Sequence, residues 1–115
     1  MRPIFFAVLI VLVTMTGSLA FAQENKGADQ MRLEGGGQGS VPFPHHRHQT
    51  ALGDCLVCHS FFDQEKGAIA DAIADGRLVK KQVMNKLCIQ CHRRQKQDGN
   101  PGGPLTCTQC HKKES

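Results

Sequence analysis

The sequence predicts a small, mostly irregular fold with short α-helices, room for a short N-terminal β-hairpin, and a core that side chains alone do not supply. Three observations lead there. After residue 22 the only aromatics are Phe43, Phe61 and Phe62, and the chain has no Trp or Tyr. A C-x-x-C-H unit occurs three times, as Cys55-Leu56-Val57-Cys58-His59, Cys88-Ile89-Gln90-Cys91-His92 and Cys107-Thr108-Gln109-Cys110-His111. These units use all six cysteines and leave none over. C-x-x-C-H reads as a c-type haem attachment. Two thiols add to the two vinyl groups of one haem, and the adjacent histidine reaches the iron from one face. The sequence therefore predicts a multihaem fold whose core is formed by three covalent haems, with Cys55, Cys58, Cys88, Cys91, Cys107 and Cys110 as attachment points. His59, His92 and His111 are the proximal iron ligands in this reading.

The first 22 residues read as a signal peptide. Arg2 provides a positive start, Phe5 to Val13 is an apolar run too short to span a bilayer comfortably, and Ala20-Phe21-Ala22 is a small-x-small cleavage site. Cutting is expected before Gln23. Export suits the chemistry, because this haem is joined to thiols outside the cytoplasm. The mature protein is expected in the periplasm, with no membrane span once the signal is removed. A chain of this length makes one small domain, and without haem it is expected to be largely disordered.

Residues 23–40 read as a flexible, Gly-rich N-terminal segment. Within it Met31-Arg32-Leu33 alternates like a short strand, and Gly35-Gly36-Gly37-Gln38-Gly39 is a turn or linker. Ser40 to Phe43 can pair back on Met31 to Leu33 as a loose hairpin, with Pro42 confining the pairing to an edge. A disordered tether fits these residues equally well.

Residues 41–113 form the expected haem-bearing domain. Pro44 suits the first position of a short helix. On that helix His45 and His48 lie three apart on one face, while His46 points away. Aligned imidazoles of this kind can meet two different irons packed side by side. A surface histidine cluster is the plainer reading, and for His46 it is the favoured one. Simple counting of distal ligands would instead use His45, His46 and His48, but adjacent His45 and His46 diverge too sharply for one compact cluster.

Ser60 to Ala74 carries Ile69, Ala72 and Ile73 at helical spacing and should close near Gly76. Its apolar face is expected to pack on a haem. Arg77 to Cys91 reads as a second helical stretch, with Leu78, Val79, Val83, Met84 and Leu87 recurring at helical intervals. Gln95 to Pro104 reads as a loop, and Lys112 to Ser115 as a frayed end.

Structural zinc also uses C-x-x-C pairs with histidine, and disulfides within each pair would suit an oxidising compartment. Disulfides leave the histidine after each pair without a purpose. The formal charge is +4, or +3 once Arg2 leaves with the signal. Haem propionates offset that excess, so the oxidised protein should lie near neutrality. No basic stripe with interleaved aromatics is present, which argues against nucleic acid as a partner.

F-P-H-H-R-H-Q from Phe43 to Gln49, then the first C-x-x-C-H and two more, resembles the triheme class III cytochromes c. These are the cytochrome c-seven type, relatives of the tetraheme cytochrome c-three with one haem missing. The likeness covers about Met31 to Lys113. It implies that His45 and His59 clamp the first haem and that His48 and His92 clamp the second. His46 matches no family ligand. The family usually places a histidine shortly before the second haem motif to bind the last haem, whereas this chain has Met84 at about that place. Met84 is thus the expected distal ligand opposite His111, as in c-seven-like domains that use histidine–methionine ligation.

The resemblance implies a periplasmic electron carrier of anaerobic respiration and not an enzyme, although family members reduce metal ions in vitro. Expected partners are periplasmic or membrane-bound dehydrogenases and reductases. A docking face is expected at Lys80, Lys81, Lys86, Arg93, Arg94, Lys112 and Lys113, which flank the last two motifs. A subunit of a larger redox complex, or a haem enzyme or sensor with one labile site, is the competing expectation.

Overall fold

The computed structural model describes residues 24–114; the expected signal peptide and its cleavage point lie outside the described residues. The first element is an antiparallel hairpin of β1 (Gln30–Leu33) and β2 (Val41–Pro44). Met31 pairs with Phe43, Arg32 with Pro42 and Leu33 with Val41. Pro42 is tolerated because a two-stranded sheet has only edges. Of the two readings open for this segment, the chain takes the hairpin, one residue longer at its start than Met31 to Leu33. Its connection is not a free linker. Gly36–Gln38 forms a 3-10 turn, and Gly39, at φ +97, brings the chain round into β2.

Among the described residues, four short α-helices and one longer helical stretch follow the hairpin. α1 spans His45–Leu52 directly after β2, so Pro44 stands just outside the helix rather than at its first position. It ends at Gly53, whose left-handed backbone (φ +66) lets its N–H reach Gln49 O at 2.9 Å. α2 (Leu56–His59) is a single turn within the first C-x-x-C-H unit. α3 (Ala68–Ala74) is followed by Gly76 at φ +74, which returns its N–H to Ile73 O and closes the helix where the sequence placed its end. α5 (Cys107–Cys110) lies inside the third unit, capped by Thr106 and Gln109 in a reciprocal capping box.

The stretch around the second unit corrects two expectations. Residues 77–81 are not helical, although Leu78 and Val79 continue the helical spacing. Lys81 takes a left-handed backbone (φ +65), which a continuing helix excludes, and Gln82 Oε1 accepts the Val79 N–H at 3.0 Å. The helix then begins at Gln82 and passes through a π turn, Met84–Cys88, into α4 (Ile89–Gln97). It therefore runs past Gln95, and the loop towards Pro104 begins only at Asp98. The C-terminus departs from a frayed end too. Lys112 N–H donates to Ser40 O at 2.7 Å, and Glu114 meets Arg32 at 2.9 Å, so residues 112–114 are tied to the hairpin.

Protein side chains hardly make a core. Among the described residues the buried apolar ones are Ala68, Ala72 and Leu78, and no large side chain is fully buried. Burying an alanine methyl contributes about 1 kcal/mol at most, far below the ordering entropy of such a chain. The stabilising mass has to come from elsewhere. The elements are arranged to present histidines and cysteines rather than to pack on one another.

Candidate functional site

Six histidines follow β2, five of them in a repeated chemical setting. His45 Nδ1 lies 3.0 Å from Ala28 O, and His48 Nδ1 lies 2.9 Å from Pro44 O. His59 Nδ1 is 3.2 Å from both Phe62 O and Asp63 O. His92 Nδ1 is 2.8 Å from Pro104 O, and His111 Nδ1 is 2.9 Å from Gly39 O. A carbonyl oxygen only accepts, so Nδ1 carries the proton in each ring. That leaves Nε2 as the nitrogen through which each imidazole would bind a metal.

His46 is the exception. Its Nε2–H donates to Gly27 O at 2.9 Å, and its Nδ1 lies 3.6 Å from the Asp29 carboxylate. Its ring centroid lies 6.1 Å from that of His45 with the planes at 41°, but the Nε2 that would have to reach a metal is turned to the Gly27 carbonyl.

The rings also stand in pairs. His45 faces His59 with centroids 6.5 Å apart and planes at 87°. His48 faces His92 with centroids 6.1 Å apart and planes at 35°. An imidazole nitrogen binds a first-row metal at about 2 Å and lies about 1 Å from its ring centre, so two imidazoles on opposite sides of one iron put their centroids about 6 Å apart. Both pairs match that spacing. They match because α1 puts His45 and His48 three residues apart, where each projects to a different C-x-x-C-H unit.

Neighbouring groups hold these rings. Phe43 packs on His48 at 4.3 Å between centroids, and Phe62 meets the edge of His59 at 5.2 Å. The Gly102 and Gly103 backbone lies against His92, where a side chain at Gly103 would overlap the ring. Gly35 lies equally close to His111, and a side chain there would collide with Gly39 O and with that ring. The Gly-rich segment is therefore a cradle for His111. The sequence signal for these supports is slight: paired glycines next to a haem motif read first as a flexible loop. The carbonyls of Ala28, Gly39 and Pro104 carry no side-chain signal at all.

No second imidazole stands opposite His111 among the described residues. Met84, half-buried, opens the π turn, and its carbonyl accepts from the Ile89 N–H five residues on. A π turn holds one residue more than an α turn, so it rotates Met84 relative to Cys88 and Cys91 away from the direction a regular helix would give it.

No disulfide joins any of the six cysteines. Burial, then the neighbouring Cys58 thiol, pushes Cys88 up to about 11. Burial, then Cys91 and Cys55, raises Cys58, and burial raises Cys110 against the opposing charge of Lys112. Among the described residues no group of three or more His, Cys, Asp or Glu side chains converges as a tetrahedral zinc site would require. The donor set instead consists of separate imidazole pairs beside paired thiols, which fits haem c.

The family model described as cytochrome c7 and related cytochrome c matches residues 41–113. The chain belongs to the cytochrome c7 family. A cytochrome c7 of Geobacter metallireducens is 33% identical over 106 residues, covering 90% of this chain and 92% of that protein. The structure of PpcC, a cytochrome c7 from Geobacter sulfurreducens, aligns at a TM-score of 0.51 and 34% identity, over 76% of this chain and all of that one. The triheme cytochrome PpcA from the same organism aligns at 0.52 and 33% identity, over 75% and 100%. This cytochrome c7 is thus a multihaem electron carrier with three c-type haems, consistent with its six cysteines in three C-x-x-C-H units. None of its described helices is long and apolar enough to cross a membrane.

Proposed function

We propose that this cytochrome c7 is a periplasmic carrier that passes single electrons between redox proteins of anaerobic respiration. When bound, each haem supplies one-electron exchange at its iron. The first haem is held by Cys55 and Cys58 and clamped by His59 and His45. The second is held by Cys88 and Cys91 and clamped by His92 and His48. The third is held by Cys107 and Cys110, with His111 on one side and Met84 on the other.

The observation that carries this reading is the pair of facing imidazoles, 6.5 Å and 6.1 Å apart, each ring with Nδ1 tied to a carbonyl. Such ligation leaves no open coordination position, so the residues support electron exchange and exclude substrate binding at those irons. Met84 is supported by its place at the head of the π turn and by the lack of a histidine opposite His111. Export is supported by the signal-like residues 1–22 and by the compartment in which thioethers to haem form.

Lys80, Lys81, Lys86, Arg93, Arg94, Lys112 and Lys113 are all exposed. They form the docking face for acidic redox partners, which their field would steer towards the second and third haems. A thioether ligand is weaker than imidazole, so a labile third haem would make the protein a sensor or an enzyme instead.

A redox titration of the mature holoprotein followed by visible spectroscopy tests the proposal. The expected result is three haems, all low-spin, that resist carbon monoxide when reduced. Carbon monoxide binding at one haem of the native protein would replace the carrier reading with the sensor one.

A further inference from the structure

The surplus histidine and the residues before β1 belong together. Four consecutive carbonyls of the N-terminal segment accept hydrogen bonds from the first turns of α1. Lys26 O accepts from Gln49 Nε2 at 2.8 Å, and Gly27 O from His46 Nε2 at 2.9 Å. Ala28 O accepts from His45 Nδ1 at 3.0 Å, and Asp29 O from the His46 backbone N–H at 3.3 Å. Residues 26–29 thus form a strap laid over the helix that carries the distal histidines, and it runs straight into β1. The strap lies close enough that a Cβ at Gly27 would sit 3.4 Å from the His45 ring.

We infer that His46 and Gln49 are positioning residues, whose side chains fasten residues 26–29 so that the Ala28 carbonyl stays on His45. The inference rests on His45 being the distal ligand of the first haem. A carbonyl on the far nitrogen of an axial imidazole fixes its tautomer and ring plane and makes it a stronger electron donor. A more electron-rich ligand favours ferric iron and lowers the potential of that haem. Ala28 has no side chain that could hold its carbonyl in place. The bonds on either side of it do that, and two of the three are made by side chains, those of His46 and Gln49. A short segment fastened at consecutive positions is released cooperatively, because each bond keeps the neighbouring backbone in register for the next. His46 is thereby explained without ligating an iron: its Nε2 holds the strap instead.

The test uses the mature three-haem protein and its variants His46→Leu, His46→Gln, Gln49→Leu and His45→Ala. Haem-methyl resonances of the ferric protein report the plane of each axial imidazole, and a titration followed by the same resonances assigns a potential to each haem. In His46→Leu and Gln49→Leu all three haems should stay low-spin. The methyl pattern of the first haem alone should change, and its oxidised-to-reduced ratio at fixed potential should fall about threefold, which is about 30 mV for one electron. His46→Gln, which keeps a donor at this position, should recover most of that shift.

An unchanged first haem in His46→Leu, with only a lower melting temperature, would overturn the positioning role and reduce the strap to a stabilising contact. A high-spin haem in His46→Leu would overturn it differently, by making His46 a ligand. The His45→Ala variant checks the underlying assignment separately. It should turn one haem high-spin, and three low-spin haems in that variant would refute the assignment of His45 whatever the strap does.

Discussion

Replacing Gly103 by alanine should damage the second haem alone. At Gly103 a Cβ would stand 2.5 Å from His92 Nε2 and 2.7 Å from Nδ1. Ordinary contact begins at 3.4 Å, so ring and loop must separate by about 0.9 Å. Iron–ligand distances tolerate about 0.2 Å before the bond is compromised. The ring therefore cannot absorb the methyl group and remain ligated. The loop cannot withdraw freely either, since Pro104 O holds His92 Nδ1 at 2.8 Å and Gly102 lies against the His92 carbonyl. Losing that hydrogen bond and overpacking the contact together cost about 2–4 kcal/mol. The assay is electron paramagnetic resonance of the ferric holoprotein, with carbon monoxide binding to the reduced form. Gly103→Ala should show one high-spin, ligand-accessible haem, or a shortfall of one haem by mass. Gly37→Ala, where an added Cβ meets nothing within 4 Å, should match the parent. Three low-spin haems with unchanged potentials in Gly103→Ala would refute the argument that backbone contact at Gly103 fixes the His92 ring.

Other measurements probe the remaining residues. Met84→Ala should abolish the weak far-red charge-transfer band of a ferric iron–methionine bond, and a band that survives would return Met84 to a packing role. Met84→His should lower the potential of the third haem, because imidazole donates more charge to iron than a thioether does; a raised or unmoved potential would contradict His111–Met84 ligation. Thr106→Ala removes half of the capping box on α5 and should destabilise the third haem motif by about 1 kcal/mol, read as a lower denaturant midpoint. In the haem-free chain, alkylation at pH 8 should label Cys88 as fast as Cys55, since the burial that pushes Cys88 to about 11 requires the folded arrangement. Slow labelling of Cys88 alone would show that the fold precedes the haems. Electron transfer to an acidic partner should slow as salt rises, and rates indifferent to ionic strength would remove the docking face from Lys80 to Lys113.

Much of this protein is legible residue by residue. Cofactor number and attachment chemistry follow from three C-x-x-C-H units that use every cysteine, because vinyl addition needs two thiols at one fixed short spacing. The spacing of His45 and His48 is equally local: one helical turn puts them on a common face. The end of α3 at Gly76 follows from glycine's freedom at positive φ. Other features depended on contacts between distant residues. Nothing local distinguishes Lys81 from its lysine neighbour, yet its left-handed backbone delays the helix to Gln82. The π turn at Met84 likewise has no pattern in side-chain order. The glycines at 35 and 39 spell flexibility when read alone, yet in the fold they cradle His111, more than seventy residues away, which docks its Nδ1–H on Gly39 O. Helical spacing sets His46 apart from His45 and His48, but its partner in the fold, the Gly27 carbonyl, belongs to the backbone and has no sequence signal. Sequence determines which groups carry chemistry, since that is a property of side-chain type and near-neighbour spacing. Tertiary structure decides which carbonyl holds which imidazole, since every residue offers the same carbonyl and only folding chooses among them.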